Sequence, residues 1–255
     1  MIKVTPTKHL TGVTIQGDYY DFKQIVDSIY NITGVTEDIS HPYYAVRNRL
    51  LAICYDIRHA SMGNRDVVTK DNGINTEIMK WHNMIVPERN VYYSANILFP
   101  EAIFASLAVP ETYTYSALDY GIKGNRTDEG LPHIPYADYY MDRAVLDVLF
   151  AGIWQALGSV IGDEELEKIL CLKENSNEMY VYYVTHYLDK CNMELLRTDF
   201  DKRKDKLKNI TKRLIKKPKT YLKIEYKLKN YARAHNLSIY HLSYPEQEYP
   251  EEIIW

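Results

Sequence analysis

The segment YDIRHASMGNR brings together Asp56, Arg58, His59, Asn64 and Arg65, side-chain types that recur in acid–base and anion-handling sites. Asp56 and His59 are three residues apart and share a face if the segment is helical, so the carboxylate can orient the imidazole for general base work. Arg58 and Arg65 nearby suit a phosphate or carboxylate. The same residues also satisfy a helix end with no substrate, because His and Arg in a last turn meet the negative pole of the helix dipole. His82, beside Trp81 in MKWH, and Glu101 further along are the other weak catalytic candidates. Trp81 and His82 suit a ligand that stacks or accepts a hydrogen bond, yet a two-turn helix plugged into a core by Ile78, Met79 and Trp81 has the same pattern. Asp18 and Asp21 follow a strand and suit a cation or, equally, a helix N-terminus.

A second kind of chemistry is suggested by residues 202–233, which hold fourteen Lys and Arg against Asp205 and Glu225. With Asp201 included the segment carries +11, and since the chain totals −3 the remainder carries −14. Lys202, Arg203, Lys206, Arg213, Lys216 and Lys217 are the expected phosphate contacts, and Tyr221 and Tyr226, with Tyr231, are the expected stacking groups for exposed bases. Three readings stay open: a nucleic-acid grip, a surface for an acidic protein partner or for self-association into a homo-oligomer, and a solvated helix that faces the chain's own acids.

Several chemistries find no support in the sequence. There is no phosphate-binding G-x-x-x-x-G-K-[ST] loop, no H-E-x-x-H, no G-x-S-x-G elbow, no kinase set and no paired cysteines for zinc. No metal and no cofactor is implied. Cys54, Cys171 and Cys191 are odd in number and far apart, as expected of free thiols in the cytoplasm. The first residues, MIKVTPTKHLTGVT, lack the apolar stretch of a signal peptide. The run AVLDVLFAGIWQALGSVI, residues 144–161, has the length of a short spanning helix, but Asp147 and Gln155 interrupt it. It reads as the central core helix, with Val145, Leu149, Ile153 and Leu157 buried and no membrane partner.

The elements that must position these groups follow from periodicity. VTIQ is a strand, and Phe22, Ile25, Val26 and Ile29 then recur at helical spacing up to Gly34. A second helix starts near Ser40 and Pro42, buries Val46, Leu50, Ile53 and Ile57, and turns Arg47, Arg49, Asp56, Arg58 and His59 outward. A short strand around Val67 and Val68, a DNG turn and a helix capped by Asn75 or Thr76 come next. Val91, Tyr93 and Ala95 mark another strand, which runs into a helix with Pro100 in its first turn.

Residues 120–137 are rich in Gly and Pro and form a loop. Beyond them strands become scarce. After the core helix and the DEELEKIL helix, Val181, Val184, Leu188, Cys191 and Leu195 outline a further helical seam. Thr198 and Asp201 have capping-box spacing ahead of Leu207, Ile210 and Leu214. Residues 220–228 fit either a strand or a helix and lean to helix, and SIYHL near the end is strand-like. The expected fold class is α+β, with a small sheet and helices in the N-terminal half and a mainly helical C-terminal half. The division is an α+β body at 1–120 with a helical region at 138–255 packed on it.

The strings TGVTIQGDYYDF, CYDIRHASMGNR, MKWHNMIVP and NVYYSANILFPEAIF together resemble a bacterial, mainly Gram-positive family known as a domain of unknown function, over roughly residues 10–160. The resemblance implies a cytoplasmic bacterial protein and brings no activity, cofactor or catalytic residue with it. The basic, Tyr-rich end lies outside it. The expectation is therefore a cytoplasmic binding or interaction protein that works through its basic C-terminal segment. The alternative is a small enzyme acting on a phosphorylated or anionic ligand through the Arg/His cluster.

Overall fold

The computed structural model describes residues 2–34, 41–121, 134–242 and 249–255. It is α+β: a four-stranded antiparallel sheet with helices in the N-terminal half, and a mostly helical C-terminal half. The strands are β1 (Lys3–Pro6), β2 (Gly12–Gly17), β3 (Asp66–Asp71) and β4 (Arg89–Leu98), in the order β1-β2-β4-β3. Sequence patterning misses β1, which is short and half-exposed and exists through its pairing with β2. In the central pair Val13 faces Ile97 and Ile15 faces Ala95, and all four are buried. The alternate positions are polar, with Thr14 Oγ1 donating to Asn96 Oδ1 at 2.7 Å, as a sheet with one covered face requires.

Helix α1 (Tyr19–Thr33) starts at a reciprocal cap: Asp21 N donates to Asp18 Oδ1 at 2.9 Å and Asp18 N to Asp21 Oδ2 at 3.0 Å. Those two acids, weighed above for a cation, are a helix start. α2 (Tyr44–Ser61) buries Val46, Leu50, Ile53 and Ile57 as its periodicity demands. Ser40, where its start was expected, lies outside the described residues, as do residues 122–133 of the Gly/Pro-rich loop. α3 (Thr76–His82) is capped by Asn75, whose side chain accepts from Glu77 N and Ile78 N. It buries none of its residues, and Trp81 is 86% exposed, so the core-plug reading of Ile78, Met79 and Trp81 is overturned.

α4 (Phe99–Ser116) and α5 (Tyr136–Ile161) form the centre. α5 is the one helix among the described residues long and apolar enough to cross a membrane. Here it packs against α1, β1, α4, α6 (Asp163–Glu174) and α8 (Phe200–Ile215). Leu149, Ile153 and Leu157 are buried and Val145 is partly so. Its Asp142 is buried and accepts from Ser28 Oγ, Asn31 Nδ2 and Tyr120 Oη at 2.9–3.0 Å, which fastens α5 to α1. One continuous apolar cluster runs from Val13 through Leu228 and joins the sheet-bearing body to the helical half.

The C-terminal half corrects three local expectations. α7 spans only His186–Leu196, so Val181 and Val184 precede it. Tyr182 there takes a left-handed backbone, φ 55°, and its N–H bonds Pro42 O at 2.8 Å, a tertiary contact that stops the helix from extending backward. Thr198 caps nothing: its hydroxyl bonds back to Glu194 O, and α8 begins after Asp199 without a side-chain cap. SIYHL is a 3₁₀ turn, Ile239–His241, held by His241 N donating to Ser238 O and by Ser238 Oγ accepting from Tyr240 N. Residues 220–228 are helical, within α9 (Lys219–His235).

Candidate functional site

The basic segment is two amphipathic helices, and its cations divide into two populations. On α8 the polar face is largely neutralised from within. Lys202 pairs with Asp199 at 2.9 Å, Lys208 with Asp205 at 2.7 Å and Lys212 with Glu165 at 2.6 Å. Arg213 makes a two-pronged bond to Glu194, and Lys217 reaches Glu178 at 3.5 Å. Burial works to raise the Glu194 carboxyl, but Arg213 and Lys190 overcome it and hold that group below its ordinary value. Arg203 spends its guanidinium on three backbone carbonyls, of His9, Leu196 and Thr198. Arg203 and Arg213 are thus fixings between elements, and Lys204, Lys206 and Lys216 are the remaining cations here, with no ion pair among the described residues.

α9 differs. Tyr221, Ile224, Leu228 and Ala232 are buried, so the opposite side presents Lys219, Lys223, Tyr226, Lys227, Asn230 and Arg233, all exposed. None of these four cations has a carboxylate within ion-pair reach among the described residues. Glu225, the helix's own acid, is taken by Lys229 at 2.8 Å. The row of four extends about 21 Å along the axis. Tyr226 stands 69% exposed within it. Tyr221, expected to stack on bases, is instead a core residue: its ring lies 4.8 Å from that of Tyr183 and its hydroxyl accepts from Val184 N at 3.1 Å. Lys217 sits over both rings, at about 6 Å.

The Asp56 to Arg65 cluster splits. Arg65 donates to Asp56 Oδ1 at 2.9 Å, and both border a cavity of about 650 Å³. The His59 ring packs at a tilt against Tyr55 with centroids 4.1 Å apart, Asn64 bonds its Nδ1, and Arg58 lies over the same Tyr55 ring, so these groups form a surface cluster of their own. Among the described residues no carboxylate is bonded to the imidazole. His82 is on exposed α3, away from the cavity lining. Glu101 is the one outlying candidate that joins Asp56 and Arg65 there.

Glu101 sits in the first turn of α4 with its side chain 14% exposed. Its Oε1 accepts from Arg49 Nη1 at 3.0 Å and from Asn192 Nδ2 at 2.7 Å. Arg49 also donates to Asp189 Oδ2 at 2.6 Å and to Thr185 O. Tyr249 Oη accepts from Asn192 and donates to Asp189. Burial pushes the Glu101 carboxyl above its ordinary value, while Arg49 and Asn192 pull it back. The segment 249–255 closes one side: Ile254 O accepts from Thr11 Oγ1 at 2.9 Å, and the Trp255 ring lies against Gly12. A Cβ on Gly12 would fall 2.1 Å from Ile97 O and 2.9 Å from that ring, which is why glycine stands there.

Arg49, Asn192, Asp189, Tyr249 and Trp255 are the residues that sequence spacing does not single out for this site. They come from three distant segments, and only Arg49, on the polar side of α2, carries any local signal. Among the described residues no group of three or more His, Cys, Asp or Glu side chains is arranged to hold a metal ion.

No curated protein and no solved structure matches this chain. A family model does, and it spans residues 2–255, well beyond the 10–160 over which the resemblance was read, so the basic helices lie inside the family's boundaries. The chain belongs to the family described as Domain of unknown function (DUF6904).

Proposed function

We propose that this protein binds single-stranded nucleic acid along the outward face of α9. The observation that carries the reading is the row of Lys219, Lys223, Lys227 and Arg233, exposed and without carboxylate partners among the described residues, with Tyr226 exposed between them. Neutralising phosphates releases counterions, and a cation already held by a neighbouring acid contributes little to that release. The phosphate grip therefore belongs to α9 rather than to the α8 cations Lys202, Arg203 and Arg213. An exposed tyrosine among the lysines adds a stacking platform, a combination that suits unpaired bases better than a closed duplex. A row of about 21 Å is long enough to follow several consecutive phosphates of one strand.

The test is a titration of labelled single- and double-stranded DNA and RNA at low and physiological salt. Lys219→Glu/Lys223→Glu/Lys227→Glu should abolish or strongly weaken single-strand binding and reduce the salt slope by about 2. A matched reversal of Lys202, Lys208 and Lys212 should change it far less. No binding at low salt would sink the proposal. Loss of a protein complex in the α9 variant, with no effect on nucleic acid, would assign the face to an acidic protein partner.

A further inference from the structure

We infer that the cavity floored by Glu101 and Asn192 is a binding site for a small molecule that carries a primary ammonium group on an apolar body. The site is separate from the α9 face and does not depend on the nucleic-acid reading.

The floor has two acceptors with no donor. Both hydrogen bonds to Glu101 arrive at Oε1, and Oε2 receives none among the described residues. Asn192 is 1% exposed, and its Oδ1 is buried without a partner. Its orientation is determined by its neighbours: Nδ2 serves Glu101 and the Tyr249 hydroxyl, and the flipped amide would press Oδ1 against a carboxylate. An unsatisfied buried acceptor costs about 1–3 kcal/mol, and Asn192 Oδ1 is one; beside it Glu101 Oε2 is a charged acceptor open to the cavity, and together they call for a donor from outside the chain.

Charge selects the kind of donor. Arg49 is shared by Glu101 and Asp189, which leaves that trio at −1. Over the lining, Arg49 and Arg65 stand against Asp56, Asp66, Glu101 and Glu251, a formal −2. An anionic ligand is disfavoured, because both arginines are already spent on carboxylates. An ammonium presents three N–H groups and one positive charge, which meets the open Glu101 Oε2 and the excess of acid. Ile53, Ile97, Leu98, Ile253 and Trp255 on the walls supply the apolar surface for the remainder of the molecule. A volume of about 650 Å³ lies within the range of metabolite sites, about 300–1,000 Å³.

Three probes of one shape separate the possibilities: phenethylamine, 2-phenylethanol and phenylacetate, titrated into the full chain by calorimetry and by quenching of tryptophan emission. Phenethylamine should bind at least tenfold more tightly than the alcohol, and phenylacetate should show no binding. Glu101→Gln should weaken the amine at least tenfold and leave the alcohol unchanged, while Trp255→Leu should weaken both. If Glu101→Gln does not fold, the order of the three probes on the unaltered protein and the shift of the Asn192 side-chain amide on adding the amine carry the test. Equal affinities, no binding of the amine at millimolar concentration, or an amine affinity indifferent to Glu101→Gln would each overturn the inference.

Discussion

Arg49 Nη1 donates to Glu101 Oε1 at 3.0 Å, and through that bond α2 is tied to α4, while the other nitrogen of the same guanidinium ties both to Asp189 on α7. The charge is the joint between the sheet-bearing body and the helical half. Arg49→Met is expected to cost about 3–5 kcal/mol at neutral pH, because two carboxylates lose their cation in a largely buried place. Burial already holds the Glu101 carboxyl high, and removing Arg49 lifts it further. A carboxyl raised in the folded chain binds its proton more readily folded than unfolded. Its contribution is therefore favourable below the unfolded value near about 4.3 and is lost as pH rises through the folded value. The deficit of the variant should shrink on acidification, as denaturant midpoints at neutral and acid pH will show; a deficit that grows would contradict this account.

The central helix gives a packing prediction. Leu149 is 2% exposed between α1, α4 and the sheet, and Leu149→Ala should lower stability by about 2–5 kcal/mol through lost burial and a residual cavity. An unchanged unfolding midpoint would mean that α5 is not the core.

Two tyrosines on one helix should behave oppositely. Tyr226→Ala removes an exposed ring, so it should leave the melting temperature unchanged and weaken single-strand binding by about 1–3 kcal/mol. Tyr221→Phe removes only the hydroxyl that accepts from Val184 N; it should cost about 1 kcal/mol of stability and leave nucleic-acid binding intact. Binding losses of equal size in the two variants would show that the outward face of α9 has been misassigned.

The three thiols should titrate apart with an aromatic disulfide reagent. Burial pushes Cys54 up to about 11 and Cys191 up to about 12, so neither supplies thiolate at mildly alkaline pH. Cys171 is exposed on α6. One equivalent should react in the native protein and three after denaturation. Rapid reaction of all three without denaturant would mean that the core opens far more freely than its packing implies.

Local pattern was a good guide wherever a single period ran long enough to be unambiguous. The stripe on α2, the apolar run of α5 and the seam of Leu207, Ile210 and Leu214 on α8 each bury the side that their spacing marks. It failed where a partner in space outweighs the local signal. β1 is a strand because β2 lies beside it, and Tyr182 breaks a helical pattern because its N–H is claimed by Pro42 O.

The candidate sites divide in the same way. Charge along residues 202–233 was legible as a total, since counting needs no geometry. Which cations remain available was not, because Glu165, Glu178 and Glu194 reach Lys212, Lys217 and Arg213 from other segments. By itself the amino-acid order determined the fold class, the faces that the long helices bury and the presence of a strongly basic end, all of which depend on near neighbours along the chain. Only the tertiary structure decided that Tyr221 is core while Tyr226 is surface, and that Arg49, Glu101, Asn192 and Tyr249 meet at one cavity floor. Such meetings depend on how helices pack across long stretches of chain, and no spacing within any one segment encodes them.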